Sequence, residues 1–111
     1  MRNRRFFSNL YRYRNKESLT IREIIQILIK DPEAILIDVR STQEYNEGHL
    51  QRSINIPLYD LEKYLDIKIK NKEAIIILYC QSGMRSKQAL EILKQKGYKN
   101  VYNLEGGLNN I

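Results

Sequence analysis

Apolar positions follow two rhythms along this chain, one helical and one typical of short buried strands. Thr20-Ile21-Arg22-Glu23 has the form of a capping box, and Ile21, Ile24, Ile25 and Leu28 then recur at helical spacing. This predicts a helix near 20–29, stopped by Asp31-Pro32. Ala34 to Val39 is short, apolar and rich in branched residues, the pattern of a buried strand. Thr42 to Tyr45 suggests a short helical turn broken by Gly48, and Ser53 to Ile56 a short strand closed by Pro57. Leu58, Leu61, Tyr64 and Leu65 space like one face of a helix and read as core. Ala74 to Tyr79 is the strongest strand signal. Met84 to Lys96 reads as a helix with Ala89, Ile92 and Leu93 inward and Gly97 as its C-cap. Val101-Tyr102-Asn103 is a last short strand, and Gly106-Gly107 turns the chain.

Strands alternate with helices, so the expected fold class is α/β: a three-layer arrangement with a central, mainly parallel sheet and helices on both faces. Ligands in such folds bind at the carboxyl ends of strands. The single cysteine, Cys80, sits at such an end.

Composition narrows the classes. A chain of 111 residues, with 42% apolar and 29% charged residues, is expected to form one globular domain. No apolar run approaches the ~18 residues of a spanning helix, and no secretory core follows the basic start, so the expected location is cytoplasmic. One cysteine excludes an internal disulfide, a Cys-x-x-Cys pair and a cysteine-based zinc site within one chain. With His49 as the lone histidine, no metal is expected.

The formal charge of +6 is unevenly spread. Residues 1–16 hold Arg2, Arg4, Arg5, Arg12, Arg14 and Lys16 and no acid, whereas residues 17–111 hold 13 basic and 13 acidic residues. Residues 1–17 therefore read as a basic extension and 18–111 as the domain. The extension also carries Phe6, Phe7, Leu10, Tyr11 and Tyr13. A basic amphipathic helix on an anionic membrane, or contact with nucleic acid or an acidic partner, fits that mixture. The favoured reading is an extension or a short strand packed on the domain, with no nucleic acid expected.

The segment Cys80-Gln81-Ser82-Gly83-Met84-Arg85-Ser86 carries the chemistry. A turn between a strand end and a helix start exposes amide N–H groups that neither element satisfies, and together they form an anion nest. The helix N-terminus adds partial positive charge. Gly83 tolerates a left-handed conformation, and Arg85 supplies a permanently charged fork. A thiol at the centre of these groups ionises early and becomes a nucleophile at neutral pH. A cysteine after an apolar strand is more often a small buried hydrophobe. The Gly83 and Arg85 spacing reverses that preference.

These residues resemble the active-site loop of the rhodanese, or thiosulfate sulfurtransferase, superfamily. Leu36-Ile37-Asp38-Val39-Arg40 with Glu44-Tyr45 is similar to its Asp-Val-Arg segment. Gly48-His49-Leu50 and Ser53-Ile54-Asn55-Ile56-Pro57 resemble its central segment. Gly97-Tyr98 and Leu104-Glu105-Gly106-Gly107 resemble its C-terminal end. The resemblance covers residues 18–111 in order. It implies that Cys80 accepts a sulfane sulfur from thiosulfate or a persulfide and passes it to a thiol or cyanide, with no cofactor. The loop amides and Arg85 would steady the persulfide and departing sulfite. Two departures stand out: Ile111 occupies a position where tryptophan is usual, and position 81 is Gln where some members carry Arg or Lys. Related phosphatase and arsenate-reducing branches place one more residue between Cys and Arg. The four-residue spacing here favours sulfur, and the missing second cysteine disfavours an intramolecular reductase. A non-turnover sulfur-relay or regulatory module with a protein partner is the alternative, and a monomer is expected.

Asp38 and Arg40, at a strand end, are expected to support the site, chiefly as an ion pair that pins loops. Glu44 falls in the same category, and His49 is read as structural. Ser82 and Ser86 are expected to serve the loop, Ser86 by bonding backbone or sulfur near the helix start.

Overall fold

The structure, a computed structural model, describes residues 16–111. Most of the basic extension, and with it the membrane and nucleic-acid alternatives for that segment, lies outside the described residues. Five strands, β1 (Ser18–Leu19), β2 (Ile35–Asp38), β3 (Ser53–Asn55), β4 (Ile75–Tyr79) and β5 (Asn100–Leu104), form one sheet in the order β1-β5-β4-β2-β3. Every pairing is parallel. Four α-helices connect them: α1 (Ile21–Lys30), α2 (Thr42–Asn46), α3 (Leu61–Lys68) and α4 (Met84–Gln95). Short 3-10 turns span Leu58–Asp60 and Gly107–Asn110.

The core lies in two layers, one on each face of the sheet. On one face Ile37, Ile76, Leu78 and Val101 pack with Leu61 and Leu65 of α3 and Ala89, Leu90 and Leu93 of α4. On the other, Leu36, Ile75, Ile77, Tyr79 and Tyr102 pack with Ile24 and Ile27 of α1. Successive residues of β4 thus alternate between layers, and because both are covered the strand is apolar throughout.

The chain closes α1 and α2 by the same device. Thr20 accepts from the Glu23 N–H while Glu23 accepts from the Thr20 N–H, and Ser41 and Glu44 do the same. Gly97 has φ +93°, directly after the last turn of α4.

Three expectations on helix faces shift. Ile25 is half exposed and Ile27 is buried instead. In α1 apolar residues occupy more than one face, so spacing alone does not fix which face turns inward. In α4, Leu90 is buried and Ile92 is only partly covered. Tyr64, read as core, is 36% exposed, while Leu65 beside it is fully buried. The edge strand β1 was not legible, because two residues show no period; Glu17 before it already accepts a hydrogen bond from the Asn103 N–H at 2.8 Å.

Candidate active site

β4 is the central strand, and β2 and β5 flank it. The chain leaving β2 travels through α2 to the edge strand β3, and the chain leaving β4 travels through α4 to β5 on the opposite side. Their divergence opens a crevice at the carboxyl end of the sheet. Asp38 pairs in register with Tyr79, which sets the segment 38–40 beside the loop 80–86.

At the floor of that loop Cys80 is wholly buried. Its sulfur is nevertheless a hydrogen-bond centre. The Gly83 N–H donates to Sγ at 3.1 Å and the Ser86 N–H at 3.3 Å, and Ser86 Oγ lies 3.6 Å away. Burial pushes the thiol pKa up. The N–H and hydroxyl of Ser86 and the N–H groups of Gly83 and Ser82 outweigh it, and the net shift is downward. Gly83 adopts φ +100° as N-cap of α4, which lets the loop curl around the sulfur. Met84, at the first position of α4, is 74% exposed. Gln81 crosses the loop, accepting from Arg40 Nη1 at 3.5 Å and donating to Asn109 Oδ1 at 2.7 Å.

The C-terminal turn braces this loop from beneath. The N–H groups of Leu108 and Asn109 donate to the carbonyls of Cys80 and Gln81 at 3.0 and 2.9 Å. A Cβ on Gly107 would stand 2.5 Å from both carbonyl oxygens, so only glycine permits the approach. The sequence marks Gly106-Gly107 as a turn and not as the support of the cysteine loop, because the contact joins residues 26 or more apart.

Asp38 and Arg40 form a buried ion pair. Arg40 Nε lies 3.0 Å from both carboxylate oxygens, and Nη2 donates to Oδ2 at 2.7 Å and to the Gly48 carbonyl at 2.7 Å. Asn55 donates to the carbonyls of both residues. Neither side chain touches the Cys80 sulfur among these bonds. Their reach to Gly48 and Gln81 ties loops together. His49 stacks on Tyr45 at 3.7 Å, and its Nδ1 lies 2.8 Å from the Tyr45 carbonyl.

Arg85 does not stand free at the rim. Its Nη1 and Nη2 donate to the two oxygens of Glu44 at 2.7 and 3.0 Å. The Arg85 fork and the Ser41 donors hold the Glu44 carboxyl down at about 2. A residue the sequence did not single out is Asn103, buried on β5. Its Oδ1 lies 3.5 Å from Ser86 Oγ, and its Nδ2 donates to Ser18 Oγ at 2.9 Å. A polar residue between Tyr102 and Leu104 on a strand was the available signal. Among the described residues no group of His, Cys, Asp and Glu side chains is placed to hold a metal ion.

The fold and site together define a parallel α/β domain built around a hydrogen-bonded cysteine loop. The family model for the rhodanese-like domain matches residues 20–111, and the chain belongs to that family. The tRNA uridine(34) hydroxylase of Hamiltonella defensa is 36% identical over 85 residues, and that of Sodalis glossinidius 33% over 90 residues. These alignments take in 73% and 78% of this chain, which spans about a quarter of those relatives' length. Among solved structures, a rhodanese-like domain protein from Staphylococcus aureus superposes with TM-score 0.76 at 28% identity, covering 85% of this chain and 89% of that one. A human single-domain sulfurtransferase superposes with TM-score 0.75 at 25% identity, covering 85% and 93%. An Escherichia coli rhodanese with anions is 37% identical with TM-score 0.64, covering 70% and 91%. Among the described residues no helix is long and apolar enough to cross a membrane.

Proposed function

We propose that this chain is a sulfurtransferase in which Cys80 carries sulfane sulfur as a persulfide. The observation that carries the reading is the convergence of the Gly83 and Ser86 N–H groups on the Cys80 sulfur, which favours thiolate in a buried place. The thiolate attacks the outer sulfur of the donor, the donor S–S bond breaks, and the leaving group departs with the bonding pair. With thiosulfate one proton is taken up and sulfite leaves. With cyanide as acceptor, Cys80–S–SH gives thiocyanate and regenerates the thiol. The same N–H groups receive the negative charge at each stage, and the chemistry calls for no metal or organic cofactor.

Intact-mass measurement after brief exposure to thiosulfate or to a small-thiol persulfide tests this. A gain of about 32 Da, reversed by cyanide and absent in Cys80→Ser, is the expected result. No adduct from either donor overturns it.

A second reading is a relay module that loads and unloads through protein partners and turns over small donors poorly. The wholly buried sulfur favours it, because a free donor must reach beneath the rim. Loading without steady thiocyanate release would select that reading. The hydroxylase relatives' own activity has weaker support here, since the chain spans only about a quarter of their length.

A further inference from the structure

Both guanidinium groups that touch the cysteine loop are already paired. Arg40 is neutralised by Asp38 and Arg85 by Glu44, while Gln81 between them is uncharged. Glu44 comes from α2, so its contact with Arg85 spans the crevice between the segments that leave β2 and β4. It is also held from behind: the Ser41 N–H and hydroxyl lie 3.1 and 3.0 Å from Glu44 Oε1. Leaving Arg85 would therefore disturb the helix cap as well as the ion pair.

A small dianion entering this rim has two routes. It displaces Glu44 from the fork and leaves a carboxylate beside it, or it approaches a neutral pair with a thiolate below. Each route disfavours charge of −2. A thiol persulfide brings at most one negative charge, and its leaving group is a thiolate.

We propose that Glu44 is a specificity-determining residue that screens Arg85 and turns the site away from small dianionic donors such as thiosulfate towards thiol persulfides. The inference rests on the sulfurtransferase reading above. In the step it favours, the Cys80 thiolate attacks the outer sulfur of R–S–SH. The donor S–S bond breaks, RS⁻ leaves with the electron pair, and Cys80–S–SH keeps the proton.

Glu44→Gln tests the screen, because a glutamine carbonyl still completes the capping box while the charge is removed. The ratio of kcat/KM for thiosulfate to kcat/KM for cysteine persulfide is expected to rise about tenfold in E44Q. An unchanged or lower ratio overturns the inference. Protection of Cys80 from iodoacetamide by sulfate supplies a readout without turnover: half-protection at about tenfold lower sulfate in E44Q supports the screen, and equal protection overturns it. The wild-type protein adds a check that needs no variant. Raising NaCl from about 20 to about 200 mM is expected to leave sulfate protection within about twofold, and a steep loss would reveal an unscreened positive site. If wild type takes sulfur from neither donor, the sulfurtransferase reading fails. The protection measurements still decide whether Glu44 screens Arg85.

Discussion

Ser86 meets the Cys80 sulfur through both its backbone and its side chain. Its N–H donates to the sulfur, and its hydroxyl lies between that sulfur, the Gly83 carbonyl and Asn103 Oδ1. A hydroxyl has one proton to give, so ionisation of Cys80 draws that proton from Gly83 towards sulfur. Ser86→Ala keeps the N–H and removes this donor. The thiol pKa is depressed in the folded protein, so alkylation by iodoacetamide should level off at a lower pH than for a free cysteine. In S86A the inflection should move upward, and the rate at neutral pH should fall by roughly threefold to tenfold, as expected for one long hydrogen bond worth about 1 kcal/mol. A superimposable pH–rate curve would show that the hydroxyl plays no part. The contact of Ser86 with sulfur and backbone was legible from its place six residues after Cys80, at the start of a helix. Asn103 was not, because a polar residue on a strand does not say what lies across from it.

Among the elements, the C-terminal turn has the clearest consequence. Gly106 and Gly107 both have positive φ, +73° and +62°, so both resist a side chain. They differ in what a methyl group would meet. At Gly107 it meets the backbone oxygens of Cys80 and Gln81 at 2.5 Å, whereas at Gly106 it meets the side chain of Asn110 at 2.7 Å, which can move aside. Gly107→Ala is expected to cost about 2–4 kcal/mol, from strain and overpacking together, and to reduce Cys80 alkylation. Gly106→Ala should cost about 1–2 kcal/mol and leave alkylation nearly intact. Urea midpoints and alkylation rates for the pair check this, and equal effects would mean that the turn does not support the loop. Element identity was legible wherever the pattern ran long enough, as in β4, α1 and α4. Helix rotation was less legible, as Ile25, Ile92 and Tyr64 show, because apolar residues there cover more than one face.

Across the whole molecule, Asp38 and Arg40 join β2 to the Gly48 turn and to Gln81 of the cysteine loop. Both side chains are almost wholly buried, so removing one strands the other. Arg40→Leu is expected to destabilise the fold by about 3–5 kcal/mol, measured by urea denaturation. A loss below about 1 kcal/mol would show that the lone Asp38 is accommodated, as an exposed pair would be. Such links depend on which strands become neighbours, and sequence order does not state that. The chain by itself determined the alternation of strands and helices, the Thr20 capping box and the cysteine between strand and glycine, because periods and caps are local properties of adjacent residues. Only the tertiary structure decided that Glu44 closes on Arg85 and that Gly107 supports Cys80. It also set Asn103 beside Ser86. Each of these contacts joins distant segments, and packing around β4 alone brings them together.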